Sequence, residues 1–202
     1  MRLRVLDFDV ECRPLAWYAM DFVTKQPTAI AWKWIDEPLL HGVQVMVIGE
    51  SDRSSRVLQE EAAMIEAFRK DYDQADVVTG HYVRGFDLPL LNGACDRLGL
   101  EPLAPKHAQD TKGDYMTAQG ISKSMENLGA MYELEHPKVN MNTAKWGAAN
   151  MLLPEGIAMT KERVVGDVLE HIELRDEMLR RGVLGPGSVY DNGAGALPGY
   201  TP

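Results

Sequence analysis

Carboxylates at short, fixed spacings dominate the chemistry that this sequence could perform. Asp9 and Glu11 stand two residues apart in the stretch FDVE. On a β-strand, side chains alternate between faces, so the two share a face, roughly 7 Å apart at a rise of ~3.3 Å per residue. Val5 and Asp7 lie on the same face, which makes three acids in a row. Two hard oxygen donors at that separation suit divalent cations such as Mg²⁺ or Mn²⁺. A third position, Asp87 in GHYVRGFDLPL, follows a short apolar strand and opens a helix. An aspartate there caps the helix or faces the carboxyl end of the strand, the usual place for sites in α/β sheets. His81 in the same stretch reads as a strand-end histidine. The fourth group lies in VVGDVLEHIELRDEM. Asp167 and His171 are four apart and share a helix face. Asp176 lies at the other margin of the apolar stripe formed by Val164, Val165, Val168, Ile172 and Leu179. Spacing alone leaves both Asp167 and Asp176 as candidates.

The elements that must position these groups follow from periodicity. Leu3–Glu11, Pro27–Trp34 and Gly42–Gly49 read as three strands close in sequence, hence an antiparallel meander. Ser54–Tyr72 changes to helical spacing, with Val57, Leu58, Ala62, Ile65 and Phe68 on one side. Asp76–Gly80 is a short buried strand, and Asp87–Leu98 a helix stopped by Gly99. Helical patterns recur at Ser124–Tyr132 and Thr143–Met151, and the last long helix is predicted over Thr160–Arg181, ending at Gly182. The segment after residue 184 is rich in Gly and Pro and is expected to be an extended or disordered tail. The order predicts a mixed α/β sheet, three antiparallel strands plus parallel ones, flanked by helices: a ribonuclease H-like arrangement. Residues 1–184 are expected to form that domain and 185–202 the tail.

Composition narrows the classes. The chain has 202 residues with 21 Lys and Arg against 30 Asp and Glu, a net charge of −9. Such a chain repels phosphate at long range and is no non-specific nucleic-acid coat. It would bind a polyanion through a local basic strip or through bound cations. The two cysteines, Cys12 and Cys95, form no disulfide framework and match no zinc spacing. A reduced, cytoplasmic setting is the expectation. The first residues turn acidic too early for a signal peptide, and no apolar run reaches the ~18–20 residues of a membrane span.

In combination, these residues resemble the DEDD (DnaQ-like) superfamily of 3′→5′ exonucleases, which includes the proofreading domains and subunits of DNA polymerases. FDVEC is similar to the family's first motif, usually DIET, and supplies Asp9 and Glu11. HYVRGFDLPLL is similar to the second, HNxxxFDxPxL, and supplies Asp87. GDVLEHIEL looks like the DVxxTxxL form of the third and supplies Asp167. KSMENLGAMYELEHPK is similar to the segment that commonly precedes it. The likeness runs from about residue 3 to 182 and is closest to the small stand-alone exonucleases of bacteriophages, which would place the protein in host cytoplasm. Two departures stand out. Tyr82 replaces the usual asparagine after the histidine. Arg163 and Glu162 stand where the family has a tyrosine four, or a histidine five, residues before the last aspartate. Pairing His171 with Asp176 restores the histidine spacing but leaves little helix before Gly182.

The resemblance implies a metal-dependent exonuclease that hydrolyses phosphodiester bonds at the 3′ end of DNA, single-stranded by preference, and releases nucleoside 5′-monophosphates, with proofreading as one role. Asp9, Glu11, Asp87 and Asp167 would hold two ions, Mg²⁺ or Mn²⁺. His171 would stand in for the residue that orients the attacking water. Tyr82, Phe86 and Lys145 are candidate strand contacts, with Lys123, Lys138 and Trp146 on the same middle segment. A DNA polymerase is an expected partner. The alternatives are an RNA or oligonucleotide nuclease of the same fold, and a weakened, nucleic-acid-binding or polymerase-associated subunit.

Overall fold

A computed structural model describes residues 3–18, 22–35, 42–50, 56–116, 120–136 and 140–191. The loop 36–41, Ser54, Lys138 and the tail beyond 191 lie outside them. Among the described residues, six strands form one sheet. In chain order they are β1 (Val5–Tyr18), β2 (Phe22–Trp34), β3 (Gln44–Val47), β4 (Val77–Gly80), β5 (Lys106–Asp110) and β6 (Ser188–Tyr190). The helices are α1 (Val57–Gln74), α2 (Asp87–Leu98), α3 (Met125–Tyr132), α4 (Thr143–Asn150) and α5 (Pro154–Arg180). The sheet order is β3-β2-β1-β4-β5-β6. β3, β2 and β1 are antiparallel, β1, β4 and β5 parallel, and β6 antiparallel at the edge. This is the mixed sheet flanked by helices that the sequence predicts.

Alternation along β1 builds both halves of the molecule. Leu6, Phe8 and Val10 face the main core with Ile30, Trp32, Met64, Ile65, Phe68, Leu88 and Leu91. Burying each such side chain contributes about 1.5–3 kcal/mol. The opposite face of the sheet receives α5, whose Val164, Val168 and Ile172 pack on Ala29 and Ala31 of β2. Those two alanines are short enough to let the helix lie close beside β1, where the acids stand.

Several boundaries depart from the sequence reading. β1 and β2 form a hairpin arm well beyond Glu11, past Pro14 and Pro27, with register shifts between Glu11 and Cys12 and between Pro14 and Ala16. α5 begins at Pro154, not Thr160, because proline at the first helical turn needs no N–H partner and its φ is already set. β5, in the polar stretch KHAQD, is an addition. So is β6, formed where Gly187 takes a positive φ and the chain turns back along β5.

Two glycines are required by close approach. A Cβ on Gly80 would lie 2.8 Å from the Phe8 carbonyl, so β4 and β1 could not sit together as they do. A Cβ on Gly156 would lie 2.3 Å from the Ala148 backbone, so glycine alone lets α5 pass α4 at this distance.

Candidate metal centre

The acids converge where the parallel strands end. β1 stops pairing with β4 at the Asp7–Thr79 step, and Asp9 and Glu11 continue past that point. α5 runs across this face and brings Asp167 to them. Candidate ligand oxygens of Asp9, Glu11 and Asp167 all lie within 4.8 Å of one another. Three carboxylates at that spacing are the hard-oxygen donor set that a divalent cation takes. The cluster could therefore bind a metal ion.

The match is one of rise. Two strand residues advance about 6.6 Å and four helix residues about 6 Å. Arg163, Asp167 and His171 thus keep step with Glu11, Asp9 and Asp7. Arg163 donates from Nε to Glu11 Oε1 at 2.5 Å, across 152 residues of sequence. Its Nη2 is 3.5 Å from Asp167 Oδ2, and its guanidinium lies 5.3 Å from the Trp146 ring of α4. Burial would lower the Arg163 pKa, but the carboxylates of Asp167, Glu11 and Asp9 outweigh it and hold the side chain protonated.

Asp87 approaches from the other layer. It begins α2, is almost completely buried, and accepts from the Val10 N–H at 3.2 Å. Burial drives its pKa well above the ordinary carboxylate value. The Val10 bond opposes the rise, and the charges of Asp110 and Glu11 add to it. Asp87 shares a cavity of about 270 Å³ with Asp9, Glu11 and Asp167, walled also by His81, Tyr82, Phe86, Lys112 and Arg163. Tyr82 and Phe86 each carry a cation on the ring, Lys112 at 4.0 Å and Lys25 at 4.7 Å. The loop holding them is fixed by Asp110, whose carboxylate accepts from the N–H groups of Tyr82, Arg84, Lys112 and Gly113.

The remaining candidates lie elsewhere. His171 does not face the cavity as a water-orienting group would. Its Nδ1 is 2.5 Å from Asp7 Oδ2 and its Nε2 3.0 Å from Thr111 Oγ1, so both ring nitrogens are engaged inside the fold. Thr111 in turn meets His81 Nδ1 at 2.9 Å. Asp176 is 65% exposed beside Arg175, further along α5 and away from the cluster. Lys145, on α4, donates from Nζ to the Asn140 carbonyl at 2.8 Å and does not line the cavity. Sequence reasoning missed the internal partners, Arg163 as a member of the cluster and Asp7 as the mate of His171. The three acids on one face of β1 were the available signal for Asp7. Arg163 was visible only as a departure from the family pattern.

Comparison with protein-family models and with curated proteins gave no match. Among solved structures, the fold is similar to the family B DNA polymerase from the hyperthermophilic archaeon Pyrobaculum calidifontis, at 19% sequence identity and a TM-score of 0.59. The similarity covers 89% of this chain and 25% of the polymerase chain, so the protein spans about a quarter of that length. At this identity the likeness is one of fold, and it agrees with a ribonuclease H-like α/β architecture. Among the described residues, no helix is long and apolar enough to cross a membrane.

Proposed function

We propose that this protein is a metal-dependent 3′→5′ exonuclease of the DEDD type, acting on the 3′ end of single-stranded DNA and releasing nucleoside 5′-monophosphates. The observation that carries the proposal is the meeting of Asp9, Glu11 and Asp167, from a strand and a helix far apart in sequence, with Asp87 in the wall of the same cavity. In this reading Asp9, Glu11 and Asp167 hold Mg²⁺ or Mn²⁺. Asp87, fixed by Val10, faces them across the cavity. A bound divalent ion supplies a water of lowered pKa and charge to offset the leaving oxygen. Tyr82 and Phe86 offer ring faces to the terminal bases, a sequence-tolerant contact. Lys112 and Lys25 beside them favour phosphate. The structural neighbour is a DNA polymerase, which favours DNA as the polymer and a polymerase as the partner class. We assign the activity to a domain that runs past the expected limit at residue 184 to include β6, since Ser188–Tyr190 pair with β5, and its setting to the cytoplasm.

One observation favours a second reading, a weakened nucleic-acid-binding subunit: Arg163 already pairs with two of the three clustered acids. Digestion of 5′-labelled and 3′-labelled single strands with Mg²⁺ or Mn²⁺ separates the two. The exonuclease reading expects 5′-labelled strands to shorten stepwise and 3′-labelled strands to yield labelled mononucleotide. It also expects Asp9→Ala and Asp167→Ala to abolish both. Full activity in both variants would sink the site assignment. A parallel RNA substrate decides the polymer.

A further inference from the structure

We infer that Arg163 is a built-in counter-cation that limits the acidic cluster to a single divalent ion. This rests on the cluster being the metal centre proposed above. The guanidinium sits among the ligands rather than beside them, bonded to Glu11 Oε1 at 2.5 Å and 3.5 Å from Asp167 Oδ2. The three side chains are 12%, 13% and 4% exposed, so water screens these charges weakly. The three clustered carboxylates and the guanidinium leave two negative charges, and the cavity wall adds one more, Asp87 and Glu126 against Lys112, so one divalent ion removes most of the site's charge. A second ion would make this poorly screened site positive and would compete with Arg163 for Glu11 Oε1.

The fold holds the arginine there. Its guanidinium lies over Trp146, and Trp146 is brought in by the α4–α5 contact that only Gly156 permits. Leaving this position would strip a shielded cation of two anionic partners and an aromatic face, and truncating one partner of a buried pair is strongly unfavourable. The arginine therefore supplies the positive charge that a second ion would otherwise bring.

The test counts ions on the full chain, stripped with chelator and titrated with Mn²⁺, by the electron paramagnetic resonance signal of free Mn²⁺. Wild type is expected to take up one ion. Arg163→Gln, which removes the charge but keeps hydrogen-bonding capacity, is expected to take up two, the first at least about tenfold more tightly than wild type binds its one. Arg163→Lys, which keeps the charge, is expected to stay at one. Two ions in wild type, or one ion in Arg163→Gln at unchanged affinity, overturns the inference and leaves the metal centre standing. No uptake by any of the three proteins defeats the metal centre itself, and the inference with it. If Arg163→Gln fails to fold by circular dichroism, the wild-type and Arg163→Lys counts decide, and two ions in either is the contrary result.

Discussion

His171 Nδ1 lies 2.5 Å from Asp7 Oδ2, with both side chains out of solvent. This is the inner rung of the ladder between α5 and β1 whose outer rung is Arg163 on Glu11. Burial raises the Asp7 pKa, while His171 and Arg175 pull it back, so the carboxylate depends on its partner. Among the described residues Asp7 Oδ1 has no hydrogen-bond partner, which leaves His171, at Oδ2, as the hydrogen-bond partner of this carboxylate. Replacing His171 with leucine strands a buried acid and is expected to cost about 3–5 kcal/mol of stability in urea unfolding. Asp7→Asn, which removes the charge together with its need for a partner, should cost less. Mn²⁺ affinity in His171→Gln should stay within a few-fold of wild type, since the imidazole touches no clustered carboxylate. A variant of normal stability that lost only hydrolysis would return His171 to the chemistry.

His81 makes the fold sensitive to acid. Burial, then the nearby His171, pushes its pKa from the ordinary 6.5 down to about 4. Between those values the unfolded chain binds more protons than the native one, so stability rises with pH across that window and is lost as pH falls through it. The ceiling of this effect is about 3 kcal/mol, since each tenfold difference in proton affinity between the two states is worth about 1.4 kcal/mol. Unfolding free energies of wild type and His81→Gln, measured from pH 7 to 4, should therefore differ by an amount that moves against the wild type as pH falls. Carboxylates titrating in the same range affect both proteins and cancel in the difference. Parallel curves would mean that His81 accepts a proton freely in the folded state.

The fourth acid can be distinguished directly. Asp167 is buried within the cluster, and Asp176 is exposed further along α5. Asp167→Asn should weaken Mn²⁺ binding by at least about tenfold, because it removes one of three charged ligands. Asp176→Asn should change it less than twofold. The reverse ranking would require a different α5 face to meet β1.

The strand that carries the candidate site was legible because burial and acidic side chains segregate on it by parity: Leu6, Phe8 and Val10 alternate with Asp7, Asp9 and Glu11. The position of Asp87, at the start of α2 and in the wall of the cavity, was legible from its place between a strand and a helix. The choice between Asp167 and Asp176 was not, because helical periodicity gives the margins of a stripe without saying which margin a strand will meet. For the same reason His171 read as a site residue when its partner is Asp7. β5 escaped notice because KHAQD has no apolar alternation, and its pairing comes from β4 and β6 on either side. The first turn of α5 escaped because Pro154 and Gly156 both read as loop, although one starts the helix and the other lets it pack.

Metal should stabilise the fold as well as serve the chemistry. Asp9, Glu11 and Asp167 repel one another wherever Arg163 does not reach, and an ion that binds only the folded cluster shifts unfolding by mass action. At a hundredfold excess over its dissociation constant that shift is about 2.7 kcal/mol. For a chain of this length it corresponds to roughly 5–10 °C in melting temperature. Millimolar Mg²⁺ or Mn²⁺ should therefore raise the melting temperature above a NaCl control of equal ionic strength, and EDTA should reverse the rise. Glu11→Gln should lose most of the response, because it removes a metal ligand and the main anchor of Arg163 together. A melting temperature indifferent to divalent ions, in a protein that still folds, would mean that Arg163 alone neutralises these acids and that the cluster holds the fold together without binding metal.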